Sequence, residues 1–333
     1  MNSVRQLGNQ GLCVSALGLG CMGMSHAYGE SDDRESKQAL DYAVNHGITM
    51  LDTAEFYGPY TNEKLLGHWL SQSNVQREDI VLATKFGFDN LQVRASGLDS
   101  RPEHIRRVVD ECLQRLGTDY IDIFYQHRVD PDVPVEEVAG TVGDLVKQGK
   151  VKYFGMSEAS CSNIKRAHQE YSVSVLQSEY SIWERDIEQD VLPLLRELNI
   201  GLVPFSPLGR GFFTAQAKSA EQYGHQDFRA WGDPRLQGAN YQHNLRLLAA
   251  IKEIGLQLNA SPAQVSLAWL LHQGNDIVPI PGSRKIAHIE DNLGAISLNL
   301  SDAQLALLNG LTAELGVAGA RYTDDFLKYT DHA

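Results

Sequence analysis

The feature that most constrains this chain is a rhythm: short apolar runs alternate with longer amphipathic stretches along most of its 333 residues. Runs at 15–22, 49–52, 80–85, 121–127, 151–156, 175–178, 201–205 and 277–280 have strand length and near-continuous apolarity. Strands covered on both faces read this way. Between them, 33–45, 62–70, 102–116, 135–148, 162–170, 191–198 and 261–272 carry helical spacing, several opened by Asp, Ser or Pro at cap positions. Eight strands separated by helices predict an α/β protein whose parallel sheet closes into a (β/α)8 (TIM) barrel. No polar linker breaks the series, so residues 1–333 are expected to form a single domain. Ahead of it, Gly8-Asn-Gln-Gly11 between alternating runs predicts an N-terminal β-hairpin. After the seventh strand, 209–241 is the longest irregular stretch and carries Phe212, Phe213, Tyr223, Phe228 and Trp231. A loop of that length in a compact domain is usually functional.

Charge narrows the class of partner. Lysine and arginine number 29 against 42 aspartates and glutamates, a net −13 that repels phosphate backbones and anionic lipid surfaces. Nucleic acid and membrane are therefore not expected, and any anionic nucleotide would need its own local cluster of cations and backbone N–H groups. The four cysteines, Cys13, Cys21, Cys112 and Cys161, are too sparse for a disulfide scaffold and show no CxxC spacing. They read as reduced thiols. With no export leader in 1–20 and no run of about 18 apolar residues, a cytoplasmic protein is expected.

Gly18-Leu-Gly-Cys-Met-Gly23 satisfies a dinucleotide-binding GxGxxG, and Asp52 ends the next strand. The context does not fit, because the glycines should open a helix directly and instead Met24-Ser-His-Ala-Tyr-Gly-Glu-Ser follows. Small residues at the end of a first strand, letting backbone pack closely at a barrel mouth, account for the motif.

Chemistry concentrates elsewhere. Asp52 and Tyr57 follow the second predicted strand, Lys85 ends the third and His127 ends the fourth. The C-terminal end of barrel strands is where catalysis sits. A buried Lys85 ammonium needs a carboxylate, which Asp52 on the neighbouring strand can supply. A cation beside the Tyr57 phenol favours phenolate and is expected to lower its pKa, making Tyr57 a candidate general acid. His127 could hydrogen-bond a carbonyl oxygen and share its developing charge. No metal-ligand set is read beyond Asp52 and His127.

These residues lie in motifs that resemble the aldo-keto reductase superfamily along the whole chain. Asp52-Thr-Ala-Glu-Phe-Tyr57-Gly, Ala83-Thr-Lys85-Phe, Tyr125-Gln-His127-Arg-Val-Asp-Pro, Gly155-Met-Ser157-Glu, Val203-Pro-Phe-Ser206-Pro-Leu-Gly-Arg210-Gly and Ile280-Pro-Gly-Ser283-Arg284 follow that family's signatures in order. The resemblance is to the bacterial and plant branch, the aldo/keto reductase 13 group. It implies NADPH-dependent reduction of a small-molecule aldehyde or ketone, with Tyr57 protonating the oxygen, Lys85 and Asp52 tuning it and His127 orienting the substrate. It also implies cofactor contacts: Ser157 and Gln177 at the nicotinamide carboxamide, Phe205 stacked on its ring, and the turn Ser206, Pro207, Leu208, Gly209 and Arg210 at the pyrophosphate. Ser283, Arg284 and Lys285 would take the 2′-phosphate of NADP, and Asp291 and Asn292 the adenine. Two positions depart from the pattern: Glu158 stands where many members have asparagine, and His288 where some have arginine. Met24, Tyr28, Phe56, Phe86, Trp183 and Trp231 are the expected substrate-pocket residues. A cofactor-sensing regulatory subunit, the role the same barrel has beside potassium channels, is the alternative reading.

Overall fold

The computed structural model of the protein describes residues 4–331 apart from 91, 93 and 95. Strands β1 (Val4–Leu7) and β2 (Leu12–Ser15) form the antiparallel hairpin, with Leu7 opposite Leu12. A parallel sheet follows, its strands neighbouring in chain order: β3 (Leu19–Gly20), β4 (Met50–Asp52), β5 (Val81–Phe86), β6 (Ile121–Gln126), β7 (Val151–Ser157), β8 (Val173–Glu179) and β9 (Gly201–Phe205). The helices that cover them are α1 (Asp33–Asn45), α2 (Thr61–Gln72), α3 (Pro102–Leu116), α4 (Val135–Lys147), α5 (Cys161–Glu170) and α6 (Val191–Leu198). The chain continues through α7 (Gly238–Leu258), α8 (Pro262–His272), α9 (Ile286–Gly294), α10 (Asp302–Leu315) and the short α11 (Asp324–Leu327). Among the described residues no helix is long and apolar enough to cross a membrane.

The predicted eighth strand closes the barrel without being a regular strand. On one side, Leu202 N donates to Asp276 O at 2.8 Å, Val278 N to Leu202 O at 2.9 Å and Ile280 N to Pro204 O at 3.1 Å. On the other, Gly18 N donates to Pro279 O at 3.0 Å and Gly20 N to Pro281 O at 3.4 Å. Pro279 and Pro281 have no N–H, so toward β3 this segment only accepts. The first predicted strand, 15–22, is divided: Ser15 ends the hairpin, and the barrel keeps only Leu19 and Gly20. Closure at this seam needs Gly20, where a Cβ would sit 2.9 Å from Ile280 O. The glycine motif therefore serves barrel packing, and α1 does not start until Asp33.

Two apolar layers result. Inside the barrel, Met50, Ala83, Ile123, Tyr125, Val175, Val203 and Val278 pack together, and Leu7, Leu12 and Val14 of the hairpin plug the bottom. Outside, Leu51, Leu82, Phe124, Phe154 and Leu176 meet the helices. This alternation is the period of a strand. It fixes which residues face the mouth: from Met50, Ala83, Ile123, Val175 and Val203, the next same-facing positions toward the strand ends are Asp52, Lys85, Tyr125 then His127, Gln177 and Phe205.

Candidate active site

The structure brings Asp52, Tyr57, Lys85 and His127 together at that mouth. Lys85 is fully buried, and its Nζ donates to Asp52 Oδ1 at 2.5 Å, to Thr53 O at 2.7 Å and to the Tyr57 hydroxyl at 3.2 Å. Asp52 Oδ2 accepts from Gln177 Nε2 at 2.7 Å, so both carboxylate oxygens are held. The Tyr57 and His127 rings meet edge-on at 5.8 Å. A half-buried His26 stacks over Tyr57 at 6.2 Å, and Phe88 packs edge-on to His127 at 4.9 Å. His26 and Phe88 are site residues the sequence reading missed.

Burial decides the protonation of this group. It pushes the Tyr57 phenol above its ordinary pKa, and Lys85, opposed by Asp52, does not reverse that. The expectation that the neighbouring cation would leave Tyr57 with a lowered pKa is therefore corrected: the phenol is held protonated, which is the form a proton donor needs. Burial also pulls the Lys85 ammonium down, but Asp52 and Tyr57 outweigh it and Lys85 keeps its proton above the usual lysine range. His127 is driven well below the ordinary histidine pKa by burial first and then by Arg128 and Lys85, so its ring is neutral.

The positions expected to contact a cofactor lie at the same end of the barrel. Ser157 ends β7 and its hydroxyl accepts from Arg128 Nη1 at 3.2 Å. Phe205 ends β9 with its side chain partly exposed. The turn that follows runs through Ser206, Pro207, Leu208, Gly209 and Arg210, and places Ser206, Gly209 and Arg210 at φ of 49°, 56° and 53°. Only glycine fits at 209, where a Cβ would lie 2.6 Å from the Trp183 ring. Arg210 turns inward to Asp233 at 2.7 Å and Glu179 at 3.5 Å. Ser283 and Lys285 lie just before α9, and Lys285 is exposed. Arg284 Nη1 donates to Gly23 O at 2.9 Å and Tyr28 O at 3.1 Å, pinning the loop that carries His26. Asp291 Oδ2 accepts from Ser261 Oγ at 2.8 Å, and Asn292 is buried on α9.

The expected pocket residues separate. Phe56 stacks on Phe88 at 4.3 Å and meets His127 edge-on, facing the mouth. Trp231 is 51% exposed and joins Phe228 and Phe326 on the rim, while Tyr28 lies under the Arg229 guanidinium. Met24 and Phe86 have no exposed surface and belong to the sheet–helix layer, so they do not line the mouth. Strand alternation explains Phe86: with Lys85 inward, its neighbour points out to Phe124. Trp183 is buried against Phe212 at 4.7 Å, behind the 206–210 turn.

The C-terminal segment roofs one side of the mouth, which the sequence did not signal. Arg321 pairs with Glu158 at the end of β7, and Tyr329 packs on Phe88 at 5.8 Å. Glu158 Oε1 also accepts from Ser178 Oγ at 2.7 Å and Glu179 N at 2.9 Å.

A profile of the aldo/keto reductase family matches residues 16–313. A relative from Glycine max, "Probable aldo-keto reductase 1", is 42% identical over 318 residues, covering 95% of this chain and 91% of its own length. This chain belongs to the aldo/keto reductase family. Among solved structures, it is similar to a thermostable aldo-keto reductase in complex with the inhibitor epalrestat, with a TM-score of 0.76 and 28% identity over 93% of this chain and 99% of that one. A glycerol dehydrogenase of Gluconobacter oxydans shares the fold, with a TM-score of 0.84 at 24% identity over 95% of this chain and 97% of that one. As an aldo-keto reductase the protein is an oxidoreductase of small-molecule carbonyl compounds that works with a nicotinamide cofactor.

Proposed function

We propose that this aldo-keto reductase uses NADPH to reduce aldehydes and ketones to alcohols, with Tyr57 as the proton donor. The observation that carries the reading is Lys85, whose single ammonium joins Asp52 at 2.5 Å and the Tyr57 hydroxyl at 3.2 Å. Bound NADPH supplies the hydride that adds to the carbonyl carbon. Tyr57, protonated because it is buried, gives its proton to the carbonyl oxygen. Lys85 stabilises the phenolate left behind, and Asp52 fixes Lys85 in place. Neutral His127 hydrogen-bonds the carbonyl oxygen and aims it at Tyr57.

The donor set suits a nicotinamide dinucleotide. Phe205 offers an aromatic face at the end of β9, beside Ser157 and Gln177 for the carboxamide. The Ser206–Arg210 turn offers backbone N–H groups at the barrel mouth for the pyrophosphate. Ser283, Arg284 and Lys285 bring a hydroxyl and two cations to the N-terminus of α9, an arrangement suited to a 2′-phosphate, with Asp291 and Asn292 near for the adenine. These cations are the local answer to the chain's net charge of −13.

The test is the loss of NADPH absorbance with a panel of aromatic, aliphatic and dicarbonyl aldehydes, run in parallel with NADH. Turnover that favours NADPH and disappears in Tyr57→Phe supports the reading. Tight NADPH binding with no turnover of any aldehyde would move the protein to a sensing role.

A further inference from the structure

Tyr57 sits on the arc between β4 and α2, and both polar groups of its backbone are held. Its N–H donates to Ala54 O at 3.1 Å, and its carbonyl accepts from Asn62 N at 3.2 Å. Asn62 lies in the first turn of α2 with no exposed surface. Its Nδ2 donates to Cys21 O at 2.9 Å and to Ser25 Oγ at 2.7 Å, and its Oδ1 accepts from Thr53 Oγ1 at 2.6 Å. The Cys21 carbonyl can only accept, so it fixes which end of the amide is Nδ2 and leaves the Thr53 hydroxyl to donate. None of these partners belongs to α2, so the Asn62 side chain is not spent on capping its own helix. Each belongs instead to a different part of the site. Thr53 follows Asp52, and its carbonyl accepts from Lys85 Nζ at 2.7 Å. Cys21 follows β3 and its N–H donates to Asp52 O at 2.9 Å. Ser25 precedes His26, whose ring stacks on Tyr57 at 6.2 Å.

We propose that Asn62 is a positioning residue for proton transfer, the amide that sets Tyr57 against Lys85 on one side and against His26 on the other. The inference rests on the reading of Tyr57 as the proton donor. The contacts close a circuit that runs from the Tyr57 carbonyl through Asn62, Thr53 and Lys85 back to the Tyr57 hydroxyl, with links of 3.2, 2.6, 2.7 and 3.2 Å. The Lys85 ammonium has three hydrogens and three acceptors, Asp52 Oδ1, Thr53 O and the Tyr57 hydroxyl, so a shift of the Thr53 carbonyl is felt in the bond to Tyr57. Opening the circuit at Asn62 frees the arc to move the phenol against the ammonium. A displacement of about 1 Å in such a pair costs about a hundredfold in rate. The reaction balances as before: hydride passes to the carbonyl carbon, the Tyr57 proton passes to the oxygen, and Asn62 exchanges nothing.

The test uses the full chain with saturating NADPH and a varied aldehyde, in ordinary and in heavy water. Asn62→Leu keeps the volume and removes all three side-chain bonds. It should lower kcat by about tenfold to a hundredfold and raise the aldehyde KM, while NADPH affinity, read by protein fluorescence, stays nearly unchanged. The solvent isotope effect on kcat/KM should rise, because transfer of the Tyr57 proton becomes slower. Variants of single links divide the effect: Thr53→Val lowers kcat and raises the isotope effect, and Ser25→Ala raises KM alone. Thr53→Ser keeps the hydroxyl and should recover most of the rate. Asn62→Leu combined with Thr53→Val should be no slower than Asn62→Leu by itself, since both break one path. Leu65→Ala is the control, a buried core residue one turn further along α2 that makes none of these hydrogen bonds. It should lower the thermal midpoint and leave the isotope effect where it was.

A lower midpoint in Asn62→Leu with the kcat and isotope effect of the parent would mark a merely structural residue and overturn the proposal. So would a multiplied loss in the double variant, or the same kinetic signature in Leu65→Ala. Should Asn62→Leu not fold, Thr53→Val against Thr53→Ser decides, and equal rates in the two defeat the proposal. One further measurement does not need turnover: tyrosinate absorbance of the parent minus Tyr57→Phe isolates Tyr57 among 13 tyrosines. With Lys85 no longer held against it, the phenolate loses its cation, and in Thr53→Val the titration should move upward. If no aldehyde is reduced, the proposed activity fails on its own, while an unmoved titration is what defeats the role of Asn62.

Discussion

Gln177 on β8 reaches across the barrel and donates from Nε2 to Asp52 Oδ2 at 2.7 Å, on the strand diametrically opposite. Asp52 is thereby clamped between an amide and the Lys85 ammonium, and the distance from Lys85 to Tyr57 depends on both. Gln177→Leu leaves a buried carboxylate oxygen without its donor, which costs about 1.5–3 kcal/mol for a hydrogen bond to a charged group. The expected result is a lower thermal midpoint together with slower aldehyde turnover. An unchanged midpoint and rate would mean that Asp52 is held well enough by Lys85 alone.

Tyr57→Phe removes the hydroxyl at 3.2 Å from Lys85 and little else, since the ring keeps its contacts with His26 and His127. NADPH should bind nearly as before, measured by quenching of protein fluorescence. Turnover should fall by about two orders of magnitude or more, the scale of a lost general acid. Rates close to those of the parent protein would assign the proton to another donor.

How much of this was legible in the sequence follows from where the signals are local. Strand alternation and cap residues placed β4 to β9 and helices α1 to α6 and α8 within a few residues, and the inward parity of Asp52, Lys85 and Gln177 was implicit in the same period. The last strand carried the warning of its two prolines: Pro279 and Pro281 leave a closing segment, not a ladder. No helix was expected over α7, whose first residues, Gly238 to Tyr241, fall in the long irregular stretch and include the weak helix formers glycine and asparagine. The irregular part is thus 209–237, broken into four 3-10 turns. At the site, Arg128 follows His127 in one motif, and nothing local in the sequence shows that its side chain reaches Ser157. Arg321, Tyr322 and Tyr329 reach the mouth from a C-terminal stretch without periodicity, and only tertiary structure brings them to Glu158 and Phe88.

Glu55, two residues before Tyr57, is 2% exposed, and burial together with nearby Glu63 pushes its carboxyl up to about 8. An ordinary glutamate in the unfolded chain titrates near about 4.3. The folded state therefore binds the extra proton between these values. Its contribution to stability is fully present below the unfolded pKa and is lost as pH rises through about 8. Glu55→Gln, which keeps the shape and cannot ionise, should gain thermal stability relative to the parent as pH is raised from about 5 to about 9. Melting curves across that range check this, and a difference independent of pH would mean that Glu55 is ionised in the fold.

Arg284 has one task seen in the structure and one proposed for it, and they can be separated. Its Nη1 holds the carbonyls of Gly23 and Tyr28, whereas exposed Lys285 beside it holds none of that loop. Both cations are proposed above to take the 2′-phosphate, which NADH lacks. Lys285→Ala should therefore weaken NADPH by about tenfold, the value of one charge-assisted contact, and leave NADH nearly unchanged. Arg284→Ala should weaken NADPH at least as much and, in addition, raise the aldehyde KM, because the loop that lays His26 over Tyr57 loses its anchor. Titration of each cofactor by fluorescence, followed by aldehyde kinetics at saturating NADPH, distinguishes the two effects. Equal weakening of NADPH and NADH in both variants would put the phosphate contact elsewhere, and an unchanged KM in Arg284→Ala would show that the 23–28 loop stands without it.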